Sequence, residues 1–136
     1  MKFKKIHSLI VLAILLFASC ENNSEVKTIE GNWEVQSIMD QSNFDLTPNF
    51  IINLKTLKIA GFSGCNNFFG SLTTNNGELS FDKMGGTRRS CPDLTAENLF
   101  ITTIPQVKFY VYKNNYLQFL SESKEVLMTL RPIEKE

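Results

Sequence analysis

A single histidine, His7, occurs in the 136 residues. It sits in a leader that the sequence marks for removal, so the mature chain is expected to have none. Without an imidazole, a Cys–His nucleophile pair and a Ser-His-Asp triad are both excluded. A hydrolase would have to draw its nucleophile and base from serine, threonine, lysine and carboxylates around Ser63 and Ser90. A paired-carboxylate glycosidase centre finds no candidates, because the acids scatter over turns and outward strand positions. A run of apolar residues long enough to cross a bilayer is also missing. The longest, residues 9–18, falls well short of the about 20 that a spanning helix needs. Basic excess is absent too. Lys+Arg number 14 and Asp+Glu 14. Lys2, Lys4 and Lys5 leave with the leader, so 11 basic residues face 14 acidic ones, a net charge of −3. A mildly acidic domain without a basic stripe is a poor nucleic-acid binder. The expectation is a protein that is not an enzyme, holds no metal or cofactor and binds no nucleic acid.

What is present begins with the leader. Three early lysines, a short apolar core and small residues before a cut site describe a secretory signal. Phe17-Ala18-Ser19-Cys20 resembles a bacterial lipobox, with Phe17 where Leu is usual and Leu16 one place earlier. Cleavage there would leave Cys20 as a lipid-bearing N-terminus. Each buried CH₂ of an acyl chain contributes about 0.8 kcal/mol to anchoring. The competing reading is an ordinary signal peptide that leaves Cys20 a free thiol. The expected organisation is a signal over residues 1–19, a lipid-anchored tether over 20–28 and one domain over 29–133. In the tether, Glu21 and Glu25 would serve either as a surface-export signal or as a solvated linker.

The domain reads as short strands. Trp33 and Val35 alternate with Glu34 and Gln36, and the parity slips at Ile38, which marks a bulge or a strand end. Residues 40–48 form a polar loop. Phe50, Ile52 and Leu54 alternate, and Leu57 and Ile59 follow a tight connection. Residues 61–70 break the pattern with three glycines, where the chain must turn sharply or pass close to another segment. Leu72 resumes a strand. Asn75-Asn76-Gly77 is a hairpin signal, after which Leu79 and Phe81 face inward. Residues 83–92 are irregular. Asp93 caps a helix running to Ile104, with Leu94, Ile101 and Ile104 on one face, Leu99 and Phe100 widening it, and Pro105 stopping it. In the closing meander Val107, Phe109 and Val111 alternate with Lys108, Tyr110 and Tyr112. Leu117 and Phe119, then Val126, Met128 and Leu130, follow. Regular spacing of short strands and turns predicts a mainly β fold, a small antiparallel barrel or sandwich of about seven to eight strands with one packed helix.

Three cysteines are an odd count for an exported protein. Lipidation of Cys20 leaves Cys65 and Cys91 to pair. A bond closing about 26 residues would contribute roughly 3–4 kcal/mol. Free thiols and a two-thiolate metal site are the alternatives.

Gly64-Cys65-Asn66-Asn67-Phe68-Phe69-Gly70, then Thr87-Arg88-Arg89-Ser90-Cys91-Pro92, then Glu97 and Phe100 on a helix, resemble the META domain, the family of the bacterial heat-shock lipoprotein HslJ. The opening Gly31-Asn32-Trp33 fits the same pattern. The Gly85-Gly86 pair departs from it and is expected only to slacken its loop. The resemblance covers roughly residues 29–133. It implies a small β barrel or sandwich with one helix at its side, an envelope location, and association with heat shock, novobiocin resistance, motility or virulence. It implies no established reaction.

Four residues are candidates for binding or for structuring the loops: Asn66, Phe68, Arg88 and Arg89. The arginines would hold an anion beside the glycine-rich loop, whose amides would form a nest. Otherwise one pairs with Glu97 or Asp93 and the other is solvated. Asn66 would read a ligand or cap the loop. Phe68 and Phe69 point to opposite sides of a strand, one into the core and one free for a partner. Tyr110, Tyr112 and Tyr116 would form an outward patch suited to an interface. The expected function is a stress- or envelope-related protein-interaction module. It would be monomeric and held by its lipid at the outer membrane, on the periplasmic side or the cell surface, with an unidentified envelope protein as partner. The alternative is a periplasmic carrier with a small ligand inside its barrel.

Overall fold

A computed structural model describes residues 27–134. Cys20, the leader and most of the tether lie outside the described residues. Nine antiparallel strands form one sheet: β1 (Gly31–Ile38), β2 (Gln41–Ser42), β3 (Asn49–Asn53), β4 (Lys58–Phe62), β5 (Asn67–Asn75), β6 (Glu78–Gly86), β7 (Phe109–Lys113), β8 (Tyr116–Leu120) and β9 (Val126–Pro132). Neighbours in sequence are neighbours in space from β3 to β9, and β1 pairs with both β3 and β9, so the sheet returns on itself in a barrel-like ring. The ninth strand is β2, two residues paired to the end of β1 inside the stretch expected to be a loop. The parity slip in β1 is a bulge against β9 between Val35 and Ser37; it lets Ile38 turn inward and bury completely.

The turns follow local chemistry. Asn76 and Gly77 both adopt positive φ in the β5–β6 hairpin, as do Asn114 and Asn115 between β7 and β8, the backbone that a two-residue hairpin requires. The glycine-rich stretch is mostly strand: only residues 63–66 separate β4 from β5. Gly61 stands opposite Phe50 in the β3–β4 ladder, and a Cβ there would collide with the Asn49 carbonyl oxygen and the Phe50 backbone. Close approach, not a turn, is its role. The Gly85-Gly86 pair is no slack loop either. It ends β6, opposite Phe69 and Phe68.

The interior is aromatic. Phe50 lies 6.1–6.2 Å from Phe68, Phe100 and Phe119, and Phe68 lies 4.7 Å from Phe100. Ile52, Ile59, Leu117, Met128 and Leu130 fill the space around them. Phe100 comes from α1 (Thr95–Thr103), which leads through a 3-10 turn (Ile104–Gln106) to β7. The helix buries Ala96, Phe100 and Thr103. Leu94 and Ile101, expected on the inner face, are exposed. Apolar residues occupy several sides of this helix, and the side that wins is the one whose phenyl ring meets Phe50 and Phe68. The α-helix ends at Thr103, just ahead of Pro105 as expected; Pro105 sits in the 3-10 turn that follows, where its missing N–H costs nothing.

Three further expectations are reversed. In β7 it is Tyr110 and Tyr112 that pack on the core, while Val111 is exposed. Tyr112 leans on Trp33 at 6.2 Å and donates its hydroxyl hydrogen to the Thr28 carbonyl. Burial, aided by neighbouring Tyr110, pushes its phenol up to about 12. The outward tyrosine patch is thus reduced to Tyr116. Leu57 is an exposed turn residue at positive φ. In β9 a bulge between Phe119 and Leu120 of the partner strand shifts the register, so Leu127 is buried and Val126 exposed.

Phe100→Ala should cost about 3–5 kcal/mol, because a ring in contact with two other phenyl rings leaves a cavity they cannot fill. Urea unfolding with the disulfide intact measures it; the same truncation at exposed Ile101 should change stability by less than about 0.5 kcal/mol.

Candidate functional site

Residues 63–66 fold over the first turn of α1. Gly64 has φ of +115°, and a Cβ on it would come within 2.7 Å of the Ala96 side chain and 2.9 Å of the Glu97 amide. Only glycine lets the loop sit this close to the helix. The approach aims the amides of Cys65 and Asn66 at one oxygen of Glu97, each at 3.2 Å. The Ser63 hydroxyl donates to the same oxygen, and the Asn66 side-chain amide donates to the other at 3.1 Å. The loop does make an anion nest, and the anion in it is the protein's own Glu97. An external anion is therefore not what this nest holds. Partial burial raises the Glu97 pKa, but the hydrogen bonds from Ser63, Asn66 and Cys65 outweigh it and hold the carboxyl below its ordinary value.

Asn66 is the junction of the second loop. Its side-chain oxygen accepts from Thr87 Oγ1 at 2.8 Å and from the Arg89 amide at 2.6 Å. Arg89 Nη2 donates to the Cys65 carbonyl at 2.9 Å. Cys65 and Cys91 are bonded, with Cα atoms 6.0 Å apart. Neither thiolate is then available to a metal, and among the described residues no group of three metal-ligating side chains gathers. Asp93 accepts from the Thr95 amide at 2.9 Å at the helix start; hydrogen bonds from Thr95 lower its pKa.

Of the four candidates, Asn66 and Arg89 are joined to the disulfide in one network, Phe68 is core, and Arg88 is exposed. Neither arginine pairs with Glu97 or Asp93: among the described residues the ion pair found is Arg131–Glu34, at 2.6 Å. Phe69 faces outward, as expected of one of the two phenylalanines. Sequence reading did not assign Glu97, Ser63 or Thr87 their roles. The available signal was an acid in the first helical turn, where the helix dipole favours it.

Beside the network runs a surface groove of about 640 Å³, between the end of β6 and the outer side of α1. Met84 and Gly86 form one wall, Leu94 and Ile101 the other, and Arg88 and Arg89 stand at its rim.

Removing the Glu97 carboxylate takes the acceptor from four donors, the Cys65 and Asn66 amides, the Ser63 hydroxyl and the Asn66 side-chain amide, so Glu97→Ala should cost roughly 2–4 kcal/mol. The pH sign follows from the lowered pKa. The contribution is full above the unfolded value of 4.5 and is lost as pH falls through the lower folded value. Urea titrations at pH 7 and pH 3 should show the mutant's deficit shrinking in acid. Replacing both Cys65 and Cys91 by serine should cost roughly 3–4 kcal/mol, read by the same unfolding measurement with and without reductant on the parent.

The fold recurs in solved structures of low identity. A protein from Burkholderia xenovorans, solved by NMR, matches with TM-score 0.61 and 17% identity over 78% of this chain and 83% of its own. A second NMR structure matches with TM-score 0.60 and 21% identity over 76% and 89%. The crystal structure of a DUF4847 family protein from Bacteroides vulgatus matches with TM-score 0.57 and 13% identity over 79% and 95%. No curated protein matches. The META domain family matches residues 25–133, which spans every strand, the helix and both bridged cysteines; the chain belongs to the META domain family.

Proposed function

We propose that this META domain is a non-enzymatic binding module of the bacterial envelope, anchored through a lipid on Cys20, and that it engages a protein partner along the groove between β6 and α1. The observation that carries the reading is the groove's construction. The disulfide and the Glu97 network fix the two loops beside the groove and tie them to α1, and the outer side of α1 presents Leu94 and Ile101 to solvent. A preorganised wall lowers the ordering cost of binding, and exposed apolar side chains in a concavity are the usual mark of a docking face.

Chemistry at the two serines has little support. Ser63 is buried and its hydroxyl is held between the Asn66 carbonyl and Glu97, whose lowered pKa makes it a weak base. The carrier reading has none from the interior, which Phe50, Phe68, Phe100 and Phe119 occupy. The lipobox resemblance and the polar tether support anchoring at the outer membrane.

A photo-crosslinking amino acid placed at Ile101 should trap a partner in intact cells, and one at Val111 on β7 should not. Replacing Cys20 by alanine should release the protein from the membrane fraction and abolish acyl labelling. Equal adducts at both positions, or none at Ile101 under stress, would count against the groove; retention of the label in the alanine variant would count against the anchor.

A further inference from the structure

The ring has one weak seam, and it lies at the groove. β6 pairs with β5 along nearly its whole length but with β7 at a single register position, Glu78 opposite Phe109. Beyond that point the chain from β6 to β7 leaves through α1 and its 3-10 turn; the turn packs against β6, and only the end of the strand, residues 84–86, faces the groove with no strand against it. The hydrogen-bond pattern shows which backbone groups this leaves open. The Leu79 amide donates to Lys108, on the β7 side. Polarity alternates along a strand, so Phe81, two residues on, turns its N–H and C=O the same way, toward the side where the 3-10 turn packs against β6. At the far end the Thr87 amide donates to the Asn67 carbonyl. That bond makes Phe68 and Gly86 a non-hydrogen-bonded pair, and the N–H and C=O of Gly86 point away from β5.

An open strand edge beside an apolar wall is a template for one more strand. Charge selects its occupant. Arg88, Arg89 and Glu97 are the charged residues along the groove, and Glu97 is satisfied by its nest. Arg88 forms no ion pair among the described residues. The groove therefore presents uncompensated positive charge, the complement of a carboxylate.

We propose that the open edge of β6 takes up an extended acidic peptide segment of the partner as an additional strand, its apolar side chains against Leu94 and Ile101 and a carboxylate on Arg88. The proposal rests on the groove being the binding face.

The test uses the full mature chain, isotope-labelled, and a blocked eight-residue peptide of alternating valine and aspartate. Two N-methylated versions block one edge of the peptide each, and a valine–lysine peptide is the charge control. The acidic peptide should shift the Gly86 amide resonance and those of its β6 neighbours that line the groove, Met84 and Gly85. One N-methyl phasing should bind and the other should not. Arg88→Glu, at an exposed site, should weaken binding about tenfold, the effect of a rim charge reversal of roughly 1.4 kcal/mol, and should improve binding of the lysine peptide. Equal binding of both N-methyl phasings, or shifts at Leu94 and Ile101 without shifts in β6, would overturn strand addition while leaving the groove as the binding face. Absence of shifts along either wall with the acidic peptide would overturn the proposal and weigh against the groove as well.

Discussion

The Glu97 carboxylate, seated among donors from a four-residue loop, is the constraint on which this end of the molecule depends. A charge withdrawn from water must be met by hydrogen bonds or it destabilises the fold. Here the helix supplies the charge and the β4–β5 connection supplies the donors. Neither element satisfies itself. The Cys65 and Asn66 amides have no ladder partner at the turn, and the acid would be desolvated against the loop without them. Asn66 then extends the arrangement to Thr87 and Arg89, and the disulfide closes it covalently. Three segments far apart in sequence become one rigid wall.

That wall explains why a small barrel-like ring can tolerate a seam. β6 and β7 share one register position, and the helix that joins them fills the gap by sending Phe100 into the core. Aromatic packing replaces the missing ladder. The interior is thereby filled, and recognition is left to the outside, where backbone and apolar groups stay accessible next to the fixed loop.

Sequence reading succeeded where the cause was local. Asn76-Gly77 needs positive φ and announces a hairpin. Trp33 with Val35, and Leu117 with Phe119, alternate because one face is buried. It failed where several faces were apolar. Leu94 and Ile101 fit a helical stripe with Ile104 as well as Ala96, Phe100 and Thr103 fit theirs; Ile104 is buried as expected, but the position of Phe50 and Phe68 turns Phe100 inward and leaves Leu94 and Ile101 exposed. Phe109 and Val111 alternate as well as Tyr110 and Tyr112, and only Trp33 decides that Tyr112 turns inward. Asn66, Arg89, Cys65 and Cys91 were legible as a group, yet their partner Glu97 was assigned to the wrong contact.

By itself the sequence determined the strand-rich class, the turns, the lone helix and the availability of two cysteines to bond, because each follows from short-range periodicity or from counting. The tertiary structure decided which helix face is buried, that the loop nest is filled from within, and that β6 keeps an open edge. Those outcomes depend on groups 20 to 50 residues apart meeting in space, and no local pattern encodes the distance between them.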